Sequence, residues 1–148
     1  MPEAQDKSLC IVTAALLRRG IILHVFSLIM TALSLAQVYL PLSPTPCTTA
    51  ASFFVIVVGI AELYFSLRVA LDADLFDALG NGFLDGENLD VSLNQLGLKA
   101  NFPLKRSVEN RSLGALRLMK FQASCMALQA MAFLLHAIFA NFLCILSF

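Results

Sequence analysis

The sequence predicts an all-α integral membrane protein with three transmembrane helices, its N-terminus cytoplasmic and its C-terminus outside. Three observations lead there. The 148-residue chain is 59% hydrophobic and 14% charged, whereas charged residues make up roughly 25% of an ordinary soluble domain. Three apolar runs, 21–40, 48–71 and 119–148, each reach the ~20 residues needed to cross a ~30 Å hydrocarbon core. All ten Lys and Arg residues lie before the first run or around the connection between the second and third, and none follows Lys120.

That last asymmetry sets the expected orientation, because short loops rich in Lys and Arg stay on the cytoplasmic side. Lys7, Arg18 and Arg19 precede the first span, and Arg68, Lys99, Lys105, Arg106, Arg111, Arg117 and Lys120 bracket the connection from the second to the third. The turn 41–47 carries no charge, nor does the stretch after Phe121. The compact topology suggests a bacterial inner (plasma) membrane. A net charge of zero gives no pointer to nucleic acid.

Residues 1–20 form an N-terminal cytoplasmic or interfacial segment. Leu9 to Leu17 is apolar until Arg18 and Arg19 interrupt it, as in an interfacial helix with its arginines at headgroup level. A cleaved signal peptide is the rival reading of the first span, since Ser34-Leu35-Ala36 loosely satisfies the small-x-small rule. The retained span is preferred. In the external hairpin 41–47, Pro41, Pro44 and Pro46 each lack a donor and push their predecessors toward extended backbone, giving a stiff turn. A PxxP ligand reading is weaker in a loop this short.

Within the spans, small and polar residues recur at alternating spacings of three and four, the pattern of a helix-packing seam. The first span gives Gly20, His24, Ser27, Thr31, Ser34 and Val38, and the second Ser52, Val55, Gly59, Glu62, Ser66 and Val69. In the third the seam reads Ala123, Ala127, Ala130, Leu134, Ala137 and Asn141. Membrane helices associate through small residues and interhelical hydrogen bonds, so these three faces are expected to meet, with Ser27, Gly59, Ala127, Ala130 and Ala137 as packing residues.

Glu62 is the most informative side chain, because an ionised carboxylate within the bilayer costs several kcal/mol unless paired, hydrated or protonated. Counting from the outer ends puts it opposite Ser27, with His24 about one turn nearer the cytoplasm. It reads either as a protonatable site coupled to His24 or His136, or as a packing residue that fixes register. Gln122, Gln129 and His136 repeat at intervals of seven beside the alanine seam. Facing lipid they would be unsatisfied, so they are expected to meet a helix of a second copy or of another subunit. Haem or metal ligation by His136 is less favoured, since His24 lies toward the other leaflet.

The cytoplasmic segment 72–118 reads as three helical pieces. Leu71, Leu75, Phe76 and Leu79 share a face, with Asp72, Asp74 and Asp77 toward water and Gly80 as terminator. Leu89, Leu93 and Leu96 echo it, with Asp90 near the start and Gly97 at the end. From Ser107, a third piece with Leu113, Leu116 and Met119 apolar and Arg106, Arg111, Arg117 and Lys120 basic runs into the last span near anionic headgroups.

Asn81 to Asp90 resembles a calcium loop only superficially, lacking the oxygen ligands and terminal Glu of an EF-hand, and reads as a turn. No P-loop, GxSxG, HExxH or Cys-x-x-Cys is present, so no metal, cofactor or catalytic residue is expected. Of the four cysteines, Cys10 and Cys125 lie toward the cytoplasm, while Cys47 and Cys144 lie outside and form the one possible disulfide; four free thiols remain the preferred reading.

Two functions fit. The preferred one is a noncatalytic accessory or assembly subunit of a larger membrane complex, partnering larger integral membrane subunits or copies of itself. The alternative is a proton-linked transporter or channel acting as a homo-oligomer through Glu62. An enzyme acting on lipid substrates is third, without a motif.

Overall fold

A computed structural model describes residues 2–40, 46–95 and 107–146, with side chains for all of these except 2, 3, 86, 87, 90, 93 and 139–146. The described residues form five helices and no strand: α1 (Pro2–Arg18), α2 (Gly20–Tyr39), α3 (Pro46–Gly80), α4 (Gly86–Gln95) and α5 (Val108–Leu146). Three long apolar stretches, Ala4–Tyr39, Pro46–Gly80 and Val108–Ile138, are sufficient to cross a membrane. The chain is an all-α integral membrane protein.

Several boundaries differ from those expected. Pro46 and Cys47 open α3 rather than closing the hairpin, proline being suited to a first helical position where no N–H partner is needed. Residues 41–45 lie outside the described part. The helix of the second apolar run does not stop at Leu71 but continues to Gly80, so the piece expected there is an extension of α3. The piece expected from Ser107 continues into the third apolar run, as anticipated, in one helix from Val108, and α4 stands alone among the described residues. Leu96 and Gly97 lie outside the described residues, as does the side chain of Leu93.

The contacts divide the chain into two compact units, residues 1–19 with 68–119 and residues 20–67 with 120–148. In the first unit, Cys10, Ala14 and Leu17 of α1 meet Val69, Ala73 and Phe76 of α3 and Ala115 of α5. The spacings of four and three place one face of each helix inward. Leu71 and Leu113, expected on apolar inner faces, point outward instead, and Ala73 and Ala115 take those places. Small side chains let the backbones approach. Thr13 Oγ1 donates to Ser112 Oγ at 3.2 Å, and Ser112 Oγ donates to Val108 O at 3.0 Å, satisfying hydroxyls that the core buries. The exposed Arg18–Asp77 ion pair, at 3.0 Å, adds at most about 1 kcal/mol.

Helix α3 does not end at Gly80 through a left-handed residue there. The left-handed residue is Gly82, with φ +74°. Gly82 N–H donates to Leu79 O and Phe83 N–H to Ala78 O, the paired bonds of a Schellman cap. Gly80 instead provides clearance. A Cβ there would lie 2.8 Å from Ile11 Cγ1 and 3.3 Å from Ile11 N, so glycine permits α1 and α3 to touch. At the start of α4, Asp85 O accepts from Leu89 N–H, and at the start of α5 Ser107 Oγ accepts from Asn110 N–H.

The second unit is arranged inside out relative to a water-soluble bundle. Its buried residues include Ser27, Ser34, Ser52, Glu62, Ser66, Gln122 and Gln129, while Ile21, Phe26, Val57, Ile60, Leu134 and Ile138 are exposed. Lipid as solvent accounts for this inversion, because aliphatic side chains lose nothing by facing hydrocarbon and polar groups must find partners inside.

The glycines separate three physical effects that thermal unfolding in mild detergent can measure. Gly80→Ala should cost about 1–3 kcal/mol through overpacking against Ile11. Gly82→Ala should cost about 1–2 kcal/mol through backbone conformation alone. Gly114→Ala should stabilise α5 by about 0.5–1 kcal/mol, because nothing lies within 4 Å of its added methyl group.

Candidate functional site

The polar interior of the second unit is built in layers where α2, α3 and α5 meet. Gln122 bonds to Gly20 and Gln129 to Ser27, each pair 102 positions apart, so α2 and α5 run in register over two turns. Their seven-residue repeat holds them on one face because two α-helical turns take about 7.2 residues.

The first layer centres on Glu62, which is 0% exposed. Its Oε2 lies 3.0 Å from His24 Nδ1, and its Oε1 accepts from Gln122 Nε2 at 2.9 Å. The second Gln122 N–H goes to Gly20 O at 3.0 Å. Both amide hydrogens are thus committed, and Gln122 Oε1 is buried without a partner. Exchanging the amide oxygen and nitrogen would set Oε1 against two acceptors, so the nitrogen-inward orientation is required while Glu62 Oε1 carries no proton. Phe65 and Phe121 stack beside this layer, their ring centres 5.7 Å apart.

The second layer centres on Gln129, also 0% exposed. Its Oε1 accepts from Ser27 Oγ at 2.7 Å, and its Nε2 faces Thr31 Oγ1 at 2.8 Å, Ser27 O at 3.2 Å and Val55 O at 3.4 Å. Gly59 makes the room: a Cβ there would collide with Thr31 Oγ1 and lie 3.0 Å from Gln129 Nε2. Further along, Ser52 Oγ donates to Gln37 Oε1 at 3.3 Å.

The structure rearranges several expected relationships. Glu62 meets His24, not Ser27, a shift of about one turn, and Ser27 belongs to Gln129. Gln122 and Gln129 do not face a partner chain; they are buried among the chain's own helices. The inner face of α5 is this glutamine face, and the alanine seam is turned outward from it, with Ala127 exposed and Ala130 and Ala137 half-buried. An amide reaching two helices relieves more unsatisfied groups than an alanine can, which decides the rotation of α5.

His136 is half-buried and lies fourteen residues beyond Gln122, about 21 Å along the helix, so it does not join Glu62. Cys47 is an exposed free thiol, while the side chain of Cys144 and that of Asn141 lie outside the described residues. Among the described residues no cluster of three His, Cys, Asp or Glu could hold a metal ion. The sequence pattern did not reveal the Gly20 and Val55 carbonyls, because backbone acceptors leave no side-chain signature. Gln37 and the Phe65–Phe121 stack were missed as well, although Gln37 is a polar residue within a span and carries a readable signal.

Comparison with known proteins finds no matching family, no matching curated protein and no matching solved structure. The layers themselves define the chemistry available. The His24–Glu62 contact can hold or pass one proton, but Glu62 is sealed from solvent and from lipid, and the Gln129 layer contains no titratable group.

Substitution separates the inner and outer faces of α5. Gln129→Leu should lower helix-association stability by roughly 1–2 kcal/mol, several intramembrane hydrogen bonds at about 0.6 kcal/mol each. Ala127→Leu should be within about 0.5 kcal/mol of wild type. Thermal unfolding in detergent reads both, and a larger loss from Ala127→Leu would mean α5 is rotated the other way.

Proposed function

We propose that this chain is a noncatalytic accessory subunit of a larger integral membrane complex, with its N-terminus cytoplasmic and its C-terminus outside in a bacterial inner membrane. The observation that carries the reading is an excess of outward apolar surface. A hydrocarbon core of ~30 Å takes up about 20 helical residues, the length of α2 alone, so the apolar surface of α1 is left to be covered by something else. In the first unit Ile11, Val12, Leu16 and Leu113 are about half exposed, and a neighbouring subunit would remove them from water.

The interior supports the same reading. Glu62, Gln122 and Gln129 are occupied in holding α2, α3 and α5 together, which is a structural role. Orientation follows from the basic residues of 1–20 and 72–118. A second reading, proton-linked transport by a homo-oligomer, draws on the 3.0 Å His24–Glu62 contact, since a carboxylate paired with imidazole within a span is a common proton-carrying arrangement.

Purification in mild detergent, followed by identification of stoichiometric companions, tests the first reading. Unrelated membrane subunits should remain bound, and Val12→Glu with Leu16→Glu should release them while leaving the chain folded; a stable homo-oligomer alone would overturn it. Reporter fusions should report Lys105 inside and Phe148 outside. Glu62→Gln should preserve assembly and activity, because shape and most hydrogen bonds survive, whereas Glu62→Leu should weaken assembly by stranding His24 and Gln122. An assembled Glu62→Gln protein without activity would favour transport.

A further inference from the structure

We infer that His24 carries a hydrogen on Nε2 and presents it, at the outer surface of the second unit, as the donor for a neutral oxygen acceptor on a helix of a companion subunit. The hydrogen follows from the first layer alone. The companion rests on the accessory-subunit reading.

Both oxygens of Glu62 are engaged, Oε1 by a Gln122 N–H and Oε2 by His24 Nδ1 at 3.0 Å. The latter contact needs one hydrogen between Oε2 and Nδ1 and has no room for two, and none can sit on Oε1 while Gln122 directs its own hydrogen there. Three states satisfy these conditions. Carboxylate with imidazolium and carboxylic acid with imidazole are both neutral overall, and both place a hydrogen on Nε2. The third, carboxylate with an Nδ1–H imidazole, leaves Nε2 bare but encloses a net negative charge. Lys120 does not offset it: two positions before Gln122 on α5, it lies about 200° around the helix and is exposed. The thiol of Cys125, the other titratable group within the field of Glu62, brings no positive charge. A buried net charge within a span is strongly disfavoured, so the neutral layer is the resting form.

Nε2 opens to the outside of the unit. The His24 side chain is 15% exposed where that of Glu62 is 1%, and the one hydrogen-bonded contact of the ring among the described residues is made by Nδ1. The buried polar side-chain atoms without a partner are Gln122 Oε1 and Ser34 Oγ, so Nε2 is unpartnered yet accessible. Ile21 and Leu28, about one turn to either side on the same strip of α2, are about half exposed. Hydrocarbon leaves a donor in such an apolar surround unsatisfied. The complement it calls for is a hydroxyl, amide or backbone carbonyl oxygen on an apposed helix, because a carboxylate would bring back the net charge that the layer excludes.

Nitrogen NMR on the full-length protein with isotope-labelled histidine, in mild detergent near neutral pH, reads the hydrogen; the His24 signals are those that survive His136→Gln. Nε2 should give a protonated, pyrrole-type resonance in wild type and in Glu62→Gln alike, because the glutamine amide donates to Nδ1 and leaves the hydrogen on Nε2. An unprotonated Nε2 in wild type would overturn the assignment. The occupant is read in the purified complex. His24→Asn keeps an N–H at the Nδ1 position for Glu62 and removes the outward donor, so the isolated chain should melt close to wild type while retention of the stoichiometric companion falls about fivefold, the worth of one intramembrane hydrogen bond. Unchanged retention would overturn the docking role. If this variant melts early, a benzophenone residue in place of Leu28, with His24 intact, decides instead: cross-linking to the companion supports the site, and cross-linking only to lipid or to a second copy overturns it. A wild type that retains no companion overturns the accessory-subunit reading and this occupant together, whereas the Nε2 hydrogen stands or falls on its own resonance.

Discussion

A carboxyl group in the middle of an apolar helix has few tolerable environments, and much of the second unit is organised by the one Glu62 occupies. In hydrocarbon an unpaired ionised group costs several kcal/mol, so α3 can sit in a bilayer only if other helices bring donors to Glu62. Gln122 does so from α5, and His24 of α2 sets its Nδ1 3.0 Å from the other carboxyl oxygen. The rotation of α5 follows: once Gln122 faces inward, Gln129 is carried to the same face two turns later, and Ser27, Thr31 and Gly59 become its surroundings. Because lipid offers no hydrophobic drive between helices, these hydrogen bonds and the close approach at Gly59 supply the specificity that an oily core supplies in water.

The first unit follows different rules. Its core is Leu17, Phe76, Val69, Cys10 and a set of alanines, and none of its described charged residues is buried. Burying Leu17 contributes about 1.5–3 kcal/mol where water is the alternative, while the Thr13–Ser112 bond chiefly prevents a penalty for enclosed hydroxyls. The same long helices α3 and α5 thus change packing chemistry along their length. A uniform seam of small residues would serve neither environment well.

Among the described residues, Gln122 Oε1 and Ser34 Oγ are the buried side-chain polar atoms without a partner. Gln122 commits both amide hydrogens to stronger demands, an acid and a backbone carbonyl, and its oxygen is left over.

Composition and apolar run length alone determined that this is a membrane protein with three long helices, because covering ~30 Å of hydrocarbon needs a length and hydrophobicity that can be counted along the chain. The presence of Glu62, His24, Gln122 and Gln129 within those runs marked them as residues that had to find partners. Which partners they found was decided only in three dimensions. The three-four periodicity of α5 fits its alanines as well as its glutamines, and only the donors and acceptors offered by α2 and α3 favour the glutamine face. Backbone carbonyls such as Gly20 and Val55 leave no trace in a side-chain pattern, and a one-turn error in register moves Glu62 from Ser27 to His24. Periodicity fixes a helix face; the hydrogen-bond requirements of neighbouring helices decide which way that face turns and what it meets.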